Sequence, residues 1–164
     1  MTLAAALTIG LADYADPRDA ADMVALLDAY ARDPMGGAAP LRDEVKARLA
    51  DDLAANPHAF SLIARLEDEA VGLANCFMGY STFAAAPLVN IHDLAVLPGH
   101  RGAGIGKALM QAIEAEALKR GACKITLEVL SGNPARHLYA AQGYGDYQLD
   151  PEAGTALFWQ KRLT

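Results

Sequence analysis

The feature that most constrains the fold is a glycine-rich turn between a predicted strand and a predicted helix. Leu88–Leu97 is dense in apolar residues and ends at Pro98-Gly99, and Ala103–Arg120 repeats apolar residues at helical spacing. A further apolar segment, Lys124–Leu130, follows that helix. The order strand, helix, strand predicts a parallel crossover, which requires a mixed α/β sheet.

The rest of the chain also alternates between strand and helix periodicity. Asp16-Pro17 predicts a helix start, because aspartate caps helices well and proline suits the first helical position. The predicted elements outside the crossover are strand Ala4–Leu11, helices Asp19–Arg32 and Leu41–Ala55, strands Phe60–Leu66 and Val71–Tyr80, helix Pro134–Gln142 and strand Thr155–Leu163. With 164 residues and no linker or repeat, the chain is expected to form one domain, residues 1–164.

Charge is distributed unevenly along the chain. The net charge of −6 argues against nucleic acid as a partner. Residues 1–97 carry a net charge of −8, whereas residues 98–124 carry +3. An anionic ligand is therefore expected near residues 98–124. The acidic remainder either favours a cationic second substrate or forms a solvated helix surface.

Several other classes of protein are disfavoured. No apolar run is long enough to span a bilayer, and residues 1–10 lack a basic leader, so we expect a cytoplasmic protein without membrane contact. The four histidines and two cysteines show no metal-ligand spacing, so no metal site is expected.

The glycine turn itself has the composition of an anion site. Gly102, Gly104 and Gly106 let the backbone approach a ligand, and the free amides of a helix N-terminus suit phosphate. A plain tight turn is the alternative. The P-loop motif fails because Arg101 stands where it needs glycine and Ala108 where it needs Ser or Thr. The alternating glycines also fail the dinucleotide fingerprint, which disfavours a nucleotide-binding domain.

Two motifs together resemble the GNAT superfamily of acetyltransferases. Arg101-x-x-Gly104-x-Gly106 is similar to its acetyl-CoA motif, and Asn133 with Ala135-x-x-Leu138-Tyr139 and Gly143-Tyr144 is similar to its second signature. Asn133 lies six residues before Tyr139, one fewer than is usual in the family, which weakens the assignment of Asn133. The resemblance implies the GNAT fold, a central mixed twisted sheet of six to seven strands flanked by about four helices.

The resemblance also implies a set of site residues for acetyl-CoA. Backbone groups of Leu94, Ala95 and Val96 would pair with the pantetheine arm, and Asn133 would bond to the cofactor nearby. Tyr139 would lie beside the thioester sulfur. The residues expected at the pyrophosphate are Arg101, Gly102, Ala103, Gly104, Ile105, Gly106 and Lys107.

The chemistry of acetyl transfer assigns roles to these residues. A tyrosine pKa near ~10 lies above a thiol pKa near ~8.5, so Tyr139 is expected to donate a hydrogen bond to the leaving thiolate rather than transfer its proton fully. An amine must lose a proton before attack. Glu128, on the predicted strand Lys124–Leu130, and Asp93, on Leu88–Leu97, are both candidate bases, and each could instead have only a structural role.

The acceptor is expected to be a small amine. The alternatives are a protein N-terminus or lysine and, in another class, a non-catalytic acyl-CoA-binding module. Tyr80, Thr82 and Phe83 either contact the acceptor or cover the core, and the sequence favours the core. A homodimer is expected from the resemblance alone.

Overall fold

The computed structural model describes residues 7–163 of the chain. Within them four helices and five strands follow the predicted order as far as the fourth helix. The strands are β1 (Leu7–Leu11), β2 (Ala59–Leu66), β3 (Glu69–Ser81), β4 (Ala86–Val96) and β5 (Ile125–Leu127), and the helices are α1 (Pro17–Arg32), α2 (Asp43–Ala54), α3 (Ile105–Lys119) and α4 (Arg136–Ala141). Residues 4–6 of the predicted first strand lie outside the described residues.

The sheet is mixed, as expected. Its strand order is β1-β2-β3-β4-β5, with antiparallel neighbours from β1 to β4 and a parallel pairing of β4 with β5. Helix α3 connects β4 to β5 and confirms the predicted crossover. The Asp16 carboxylate caps α1 by accepting from the backbone N–H groups of Arg18 and Asp19, at 2.8 and 3.0 Å.

Helices pack on both faces of this sheet. On one face, a buried cluster joins α1 and α2 to the sheet through Met23, Leu26, Leu53, Ile63 and Leu73. On the other face, a Cβ built at Gly72 of β3 would lie 3.0 Å from Leu109 Cδ1 and 3.3 Å from Ile105 Cγ2 of α3. The glycine lets α3 pack closely against the sheet, opposite α1 and α2.

Two strand predictions are wrong. The strand expected over Lys124–Leu130 is only Ile125–Leu127, so Glu128 lies just beyond it and is exposed. Its pairing with β4 ends at Ile91, one residue before a β-bulge at His92, and a bulge bends the strand that carries it. The strand is also the outermost of the described sheet.

The last predicted strand, Thr155–Leu163, is the second error. Residues 155–163 are exposed and pair with no strand of the described chain, so the sheet has five described strands instead of six to seven. A strand requires a hydrogen-bonded neighbour, whereas Leu157, Phe158 and Trp159 only satisfy a composition rule for strands. Amino-acid composition alone therefore predicted more strands than the described sheet contains.

The chain divides into two compact units, with the boundary between Leu127 and Glu128. The first unit contains the sheet and α1 to α3. The second contains α4 and the segment after it. In the described part of the chain, no helix is both long enough and apolar enough to cross a bilayer.

Candidate active site

The glycine turn leads from β4 into α3 with its backbone exposed. Gly102 and Gly104 have φ angles of +77° and +84°, in the left-handed region that glycine adopts at little cost. Gly104 is the N-cap of α3 and offers no side-chain cap. A Cβ built at either glycine would meet no atom within 4 Å. The turn therefore borders open space that a ligand group can enter.

The first turn of α3 provides hydrogen-bond donors toward that space. Helices leave their first backbone N–H groups without an intrahelical partner. Within residues 7–163, the N–H groups of residues 104–107 have no hydrogen-bond acceptor. The helix dipole adds partial positive charge, and the exposed Lys107 adds a full one. This donor set fits a pyrophosphate, as a coenzyme A cofactor requires.

The Arg101 side chain makes contacts inside the first unit. Its Nε donates to the Val96 carbonyl at 2.9 Å, and its Nη2 donates to Asp33 Oδ2 at 2.9 Å. The Met35 backbone N–H and then Arg101 hold the pKa of Asp33 below its usual value. Arg101 thus connects the end of β4 to the end of α1, and Asp33 balances its charge.

The end of β4 has one edge without a strand partner. Residues 93–96 pair with β3 on one side, and no strand of the described chain pairs with them on the other. Because the Leu97 N–H donates to the Val71 carbonyl, alternation along the strand turns the Ala95 backbone toward β3. The backbone groups of Leu94 and Val96 then point to the unpaired edge, where Arg101 already bonds to the Val96 carbonyl.

Asp93 belongs to a row of polar side chains across three strands. Asn75 of β3 lies opposite Asp93 of β4, and Ser61 of β2 lies opposite Asn75. Asn75 Nδ2 donates to Asp93 Oδ2 at 3.0 Å, and Ser61 Oγ donates to Asn75 Oδ1 at 2.6 Å. Ser61 and Asn75 are buried, whereas Asp93 is partly exposed.

The environment of Asp93 is acidic. Burial raises the pKa of the Tyr30 phenol, and the negative charges of Asp93 and Asp33 raise it further. This places the two carboxylates close enough to one tyrosine to influence its ionisation. Asp33 already has a cationic partner in Arg101, so a further cationic group is favoured beside Asp93.

Other predicted site residues lie in the second unit. Tyr139 is on α4, partly buried, with its ring centroid 6.4 Å from that of Tyr144. Asn133 Oδ1 accepts from the Ala135 N–H at 2.9 Å and shapes the turn that leads into α4. Glu128 is exposed at the start of this unit.

The end of β3 and the loop after it do not cover the core. Tyr80 and Phe83 are 61% and 89% exposed, and Thr82 is exposed as well. The sequence-based preference for a core role is therefore wrong for all three. The exposed rings of Tyr80 and Phe83 are available to a second molecule.

Sequence reasoning missed Ser61, Asn75, Tyr14 and Tyr30. A signal was present for two of them, because Ser61 and Asn75 are polar residues inside otherwise apolar strands. Buried polar groups need partners, so both positions could have been expected to face a further polar side chain. Nothing in the sequence showed which polar side chain that would be.

Comparison with known proteins supports one family for the chain. The Acetyltransferase (GNAT) family pattern matches residues 23–144, about three quarters of the chain. The streptothricin acetyltransferase of Streptomyces lavendulae is 44% identical over 63 residues, which are 38% of this chain and 33% of that protein. The chain spans between a third and just over half of the length of the curated relatives it matches.

Solved structures show the same fold at low sequence identity. An aminoglycoside acetyltransferase from an uncultured soil metagenomic sample, in complex with sisomicin, has a TM-score of 0.74 at 18% identity, covering 98% of this chain and 99% of that one. The aminoglycoside N-acetyltransferase AAC(6')-Iy in complex with CoA has a TM-score of 0.73 at 18% identity, covering 95% of each chain. The family match over residues 23–144, with which the shared fold and the glycine turn agree, shows that the chain belongs to the GNAT family of acetyltransferases.

Proposed function

We propose that this protein transfers an acetyl group from acetyl-CoA to the primary amine of a small cationic molecule. The observation that carries the proposal is the position of Asp93, on the strand whose free edge leads into the glycine turn. An anion site and a carboxylate at opposite ends of one strand edge suit an anionic cofactor and a cationic acceptor.

The cofactor is proposed to bind along β4 and the glycine turn. The free amides at the start of α3 and the Lys107 side chain would bind the pyrophosphate. The outward backbone groups of Leu94 and Val96 would bond to the pantetheine arm as a neighbouring strand does. Acetyl-CoA supplies the activated thioester for the reaction.

The acceptor is proposed to enter from the side of α1. Asp93 would bind the ammonium group and receive its proton directly or through water, so that the neutral amine can attack. Glu128 remains a second candidate base. The Leu94 N–H points to the unpaired edge and would stabilise the oxyanion that forms on the carbonyl.

The reaction is proposed to proceed by direct attack. The amine nitrogen bonds to the carbonyl carbon and the carbon–sulfur bond breaks. The nitrogen then loses its second proton to the leaving thiolate or to water, and Tyr139 donates a hydrogen bond to the sulfur. Burial raises the pKa of the Cys76 thiol to about 12, so this cysteine stays protonated at neutral pH and is a poor nucleophile for an acetyl-enzyme intermediate.

An acceptor panel tests the proposal. Release of free coenzyme A thiol is followed with acetyl-CoA and three groups of acceptors: aminoglycosides, polyamines, and peptides with a free N-terminus or lysine. Amine-dependent thiol release with a small cation supports the proposal. Release only with peptides would identify a protein acetyltransferase, and binding of acetyl-CoA without release would identify a binding module.

Two further properties belong to the proposal. We place the reaction in the cytoplasm, where acetyl-CoA is available, and we propose a homodimer. The exposed Leu157, Phe158 and Trp159 provide an apolar surface of the kind that self-association covers. Light scattering after size-exclusion chromatography measures the mass, and a monomer at all concentrations would exclude the dimer.

A further inference from the structure

A continuous chain of hydrogen bonds leads to Asp93 from the loop after β1. The Tyr14 hydroxyl lies 2.8 Å from Ser61 Oγ, which donates to Asn75, which in turn donates to Asp93. Three of the four residues are on neighbouring strands in direct register, on the face of the sheet that α1 covers. The part of this series from Ser61 to Asp93 therefore belongs to the sheet, and only Tyr14 lies in a loop.

The Asp93 carboxylate determines which group is the donor in each of these hydrogen bonds. An ionised carboxylate only accepts hydrogen bonds, so the Asn75 amide nitrogen must face Asp93 and its oxygen must face Ser61. The single Ser61 proton is then used on Asn75. The Tyr14 hydroxyl must consequently donate to Ser61 Oγ. All donors point toward Asp93, and the alternative orientation of the Asn75 amide would place its oxygen against the carboxylate.

This series of hydrogen bonds fixes the position of the Asp93 carboxylate and does not carry protons to it. A carboxamide has no proton that titrates in the range of enzyme activity, so Asn75 interrupts any relay from Tyr14 to Asp93. What Asn75 does provide is a fixed bond to Oδ2. In the described residues Asp93 Oδ1 makes no hydrogen bond, so it remains available to another donor.

We propose that Asn75 is a positioning residue for acetyl transfer: it fixes Asp93 through Oδ2 and leaves Oδ1 for the ammonium group of the acceptor. Ser61 and Tyr14 act one step further back by fixing Asn75. This inference rests on the proposed function, because it assigns the acceptor's ammonium group to Asp93. It predicts that acceptor recognition depends on two strands that contribute no group to the acceptor itself.

A double-mutant cycle on Asn75 and Asp93 tests the proposal. Asn75→Leu should raise the KM for the amine by about tenfold or more, the scale of one lost bond to a charged group, while the KM for acetyl-CoA changes less than about twofold. In an Asp93→Asn background, Asn75→Leu should have little further effect, because Asn75 acts only through Asp93. Equal effects of Asn75→Leu in both backgrounds would overturn the positioning role.

Two variants separate positioning from folding. Asn90→Leu removes an asparagine of β4 that bonds to Thr126, and it should leave the KM for the amine unchanged. Ser61→Ala deletes only a hydroxyl, so it should keep the fold even if Asn75→Leu does not fold. It should also raise the KM for the amine, by a smaller factor than Asn75→Leu. An unchanged KM would contradict the role of Ser61 in fixing Asn75.

A measurement without turnover distinguishes this inference from the proposed function. The side-chain amide protons of Asn75 are observed by NMR in the wild type and in Asp93→Ala. Bonding to the carboxylate predicts a resonance that moves when Asp93 is replaced, and an unmoved resonance would refute the Asn75–Asp93 bond. If the resonance moves but no amine is acetylated, the bond stands, while the proposed function and the role in acceptor binding fail together.

Discussion

Replacing Gly104 with tryptophan tests the cofactor site. The φ angle of +84° at Gly104 disfavours any side chain, at a cost of roughly 1–2 kcal/mol, but a Cβ there meets no atom within 4 Å. Gly104→Trp should therefore fold with modestly reduced stability. Its indole would occupy the space in front of the α3 amides, where the pyrophosphate is proposed to bind.

Gly121→Trp is the matched control at the other end of the same helix. Its φ angle is +71°, and a Cβ there also meets nothing within 4 Å, so the strain is similar. Each variant should unfold at a temperature several degrees below wild type, since about 1 kcal/mol corresponds to roughly 2–4 °C for a chain of this length. Only Gly104→Trp should lose acetyl-CoA binding.

Thermal unfolding with and without acetyl-CoA is the assay. A ligand at a hundredfold excess over its Kd stabilises the native state by about 2.7 kcal/mol, or roughly 5–10 °C here. Wild type and Gly121→Trp should show this increase, and Gly104→Trp should not. An equal increase in all three would refute the assignment of the glycine turn. No increase in wild type would refute cofactor binding itself.

Three further predictions follow from the same structure. Gly72→Ala should lower the free energy of unfolding by about 1–3 kcal/mol in a denaturant titration, because its Cβ would lie 3.0 Å from Leu109 Cδ1; an unchanged midpoint would contradict the close packing of α3. The pKa of Asp33 is lower in the folded state than its unfolded value near ~3.9, so its contribution to stability is present above that value and is lost as the pH falls through the folded pKa. Asp33→Asn should therefore reduce the loss of stability below about pH 4, measured by thermal unfolding at a series of pH values. An unaltered pH profile would contradict this prediction. Tyr139→Phe should lower kcat by about tenfold to a hundredfold with little change in the KM for acetyl-CoA, and an unchanged kcat would remove Tyr139 from the reaction.

The elements that position the proposed cofactor site could be predicted from sequence because their signals are local. Proline and glycine mark the end of β4 and the start of α3, and the periodicity of α3 gives its buried face. The Asp16 cap and the β2–β3 hairpin are equally local. Each of these features depends on residues that are neighbours in the chain.

Features that depend on pairing between distant segments could not be predicted in the same way. The bulge at His92 is visible only in the register of β3 with β4, yet it comes directly after the point on β4 where β5 stops pairing. The error over Thr155–Leu163 has the same origin, since a strand exists only with a partner. The bond between Asn75 and Asp93 joins residues 18 positions apart and depends on that same register.

Isotope transfer tests the central claim most directly. Acetyl-CoA with an isotopically labelled acetyl group is incubated with the protein and a small cationic amine, and the amine is examined by mass spectrometry, with Asp93→Asn in parallel. The labelled acetyl group should appear on the amine nitrogen with wild type, and far more slowly with the variant. If every amine of the acceptor panel stays unlabelled although acetyl-CoA binds, the proposed acetyl transfer to a small amine is contradicted.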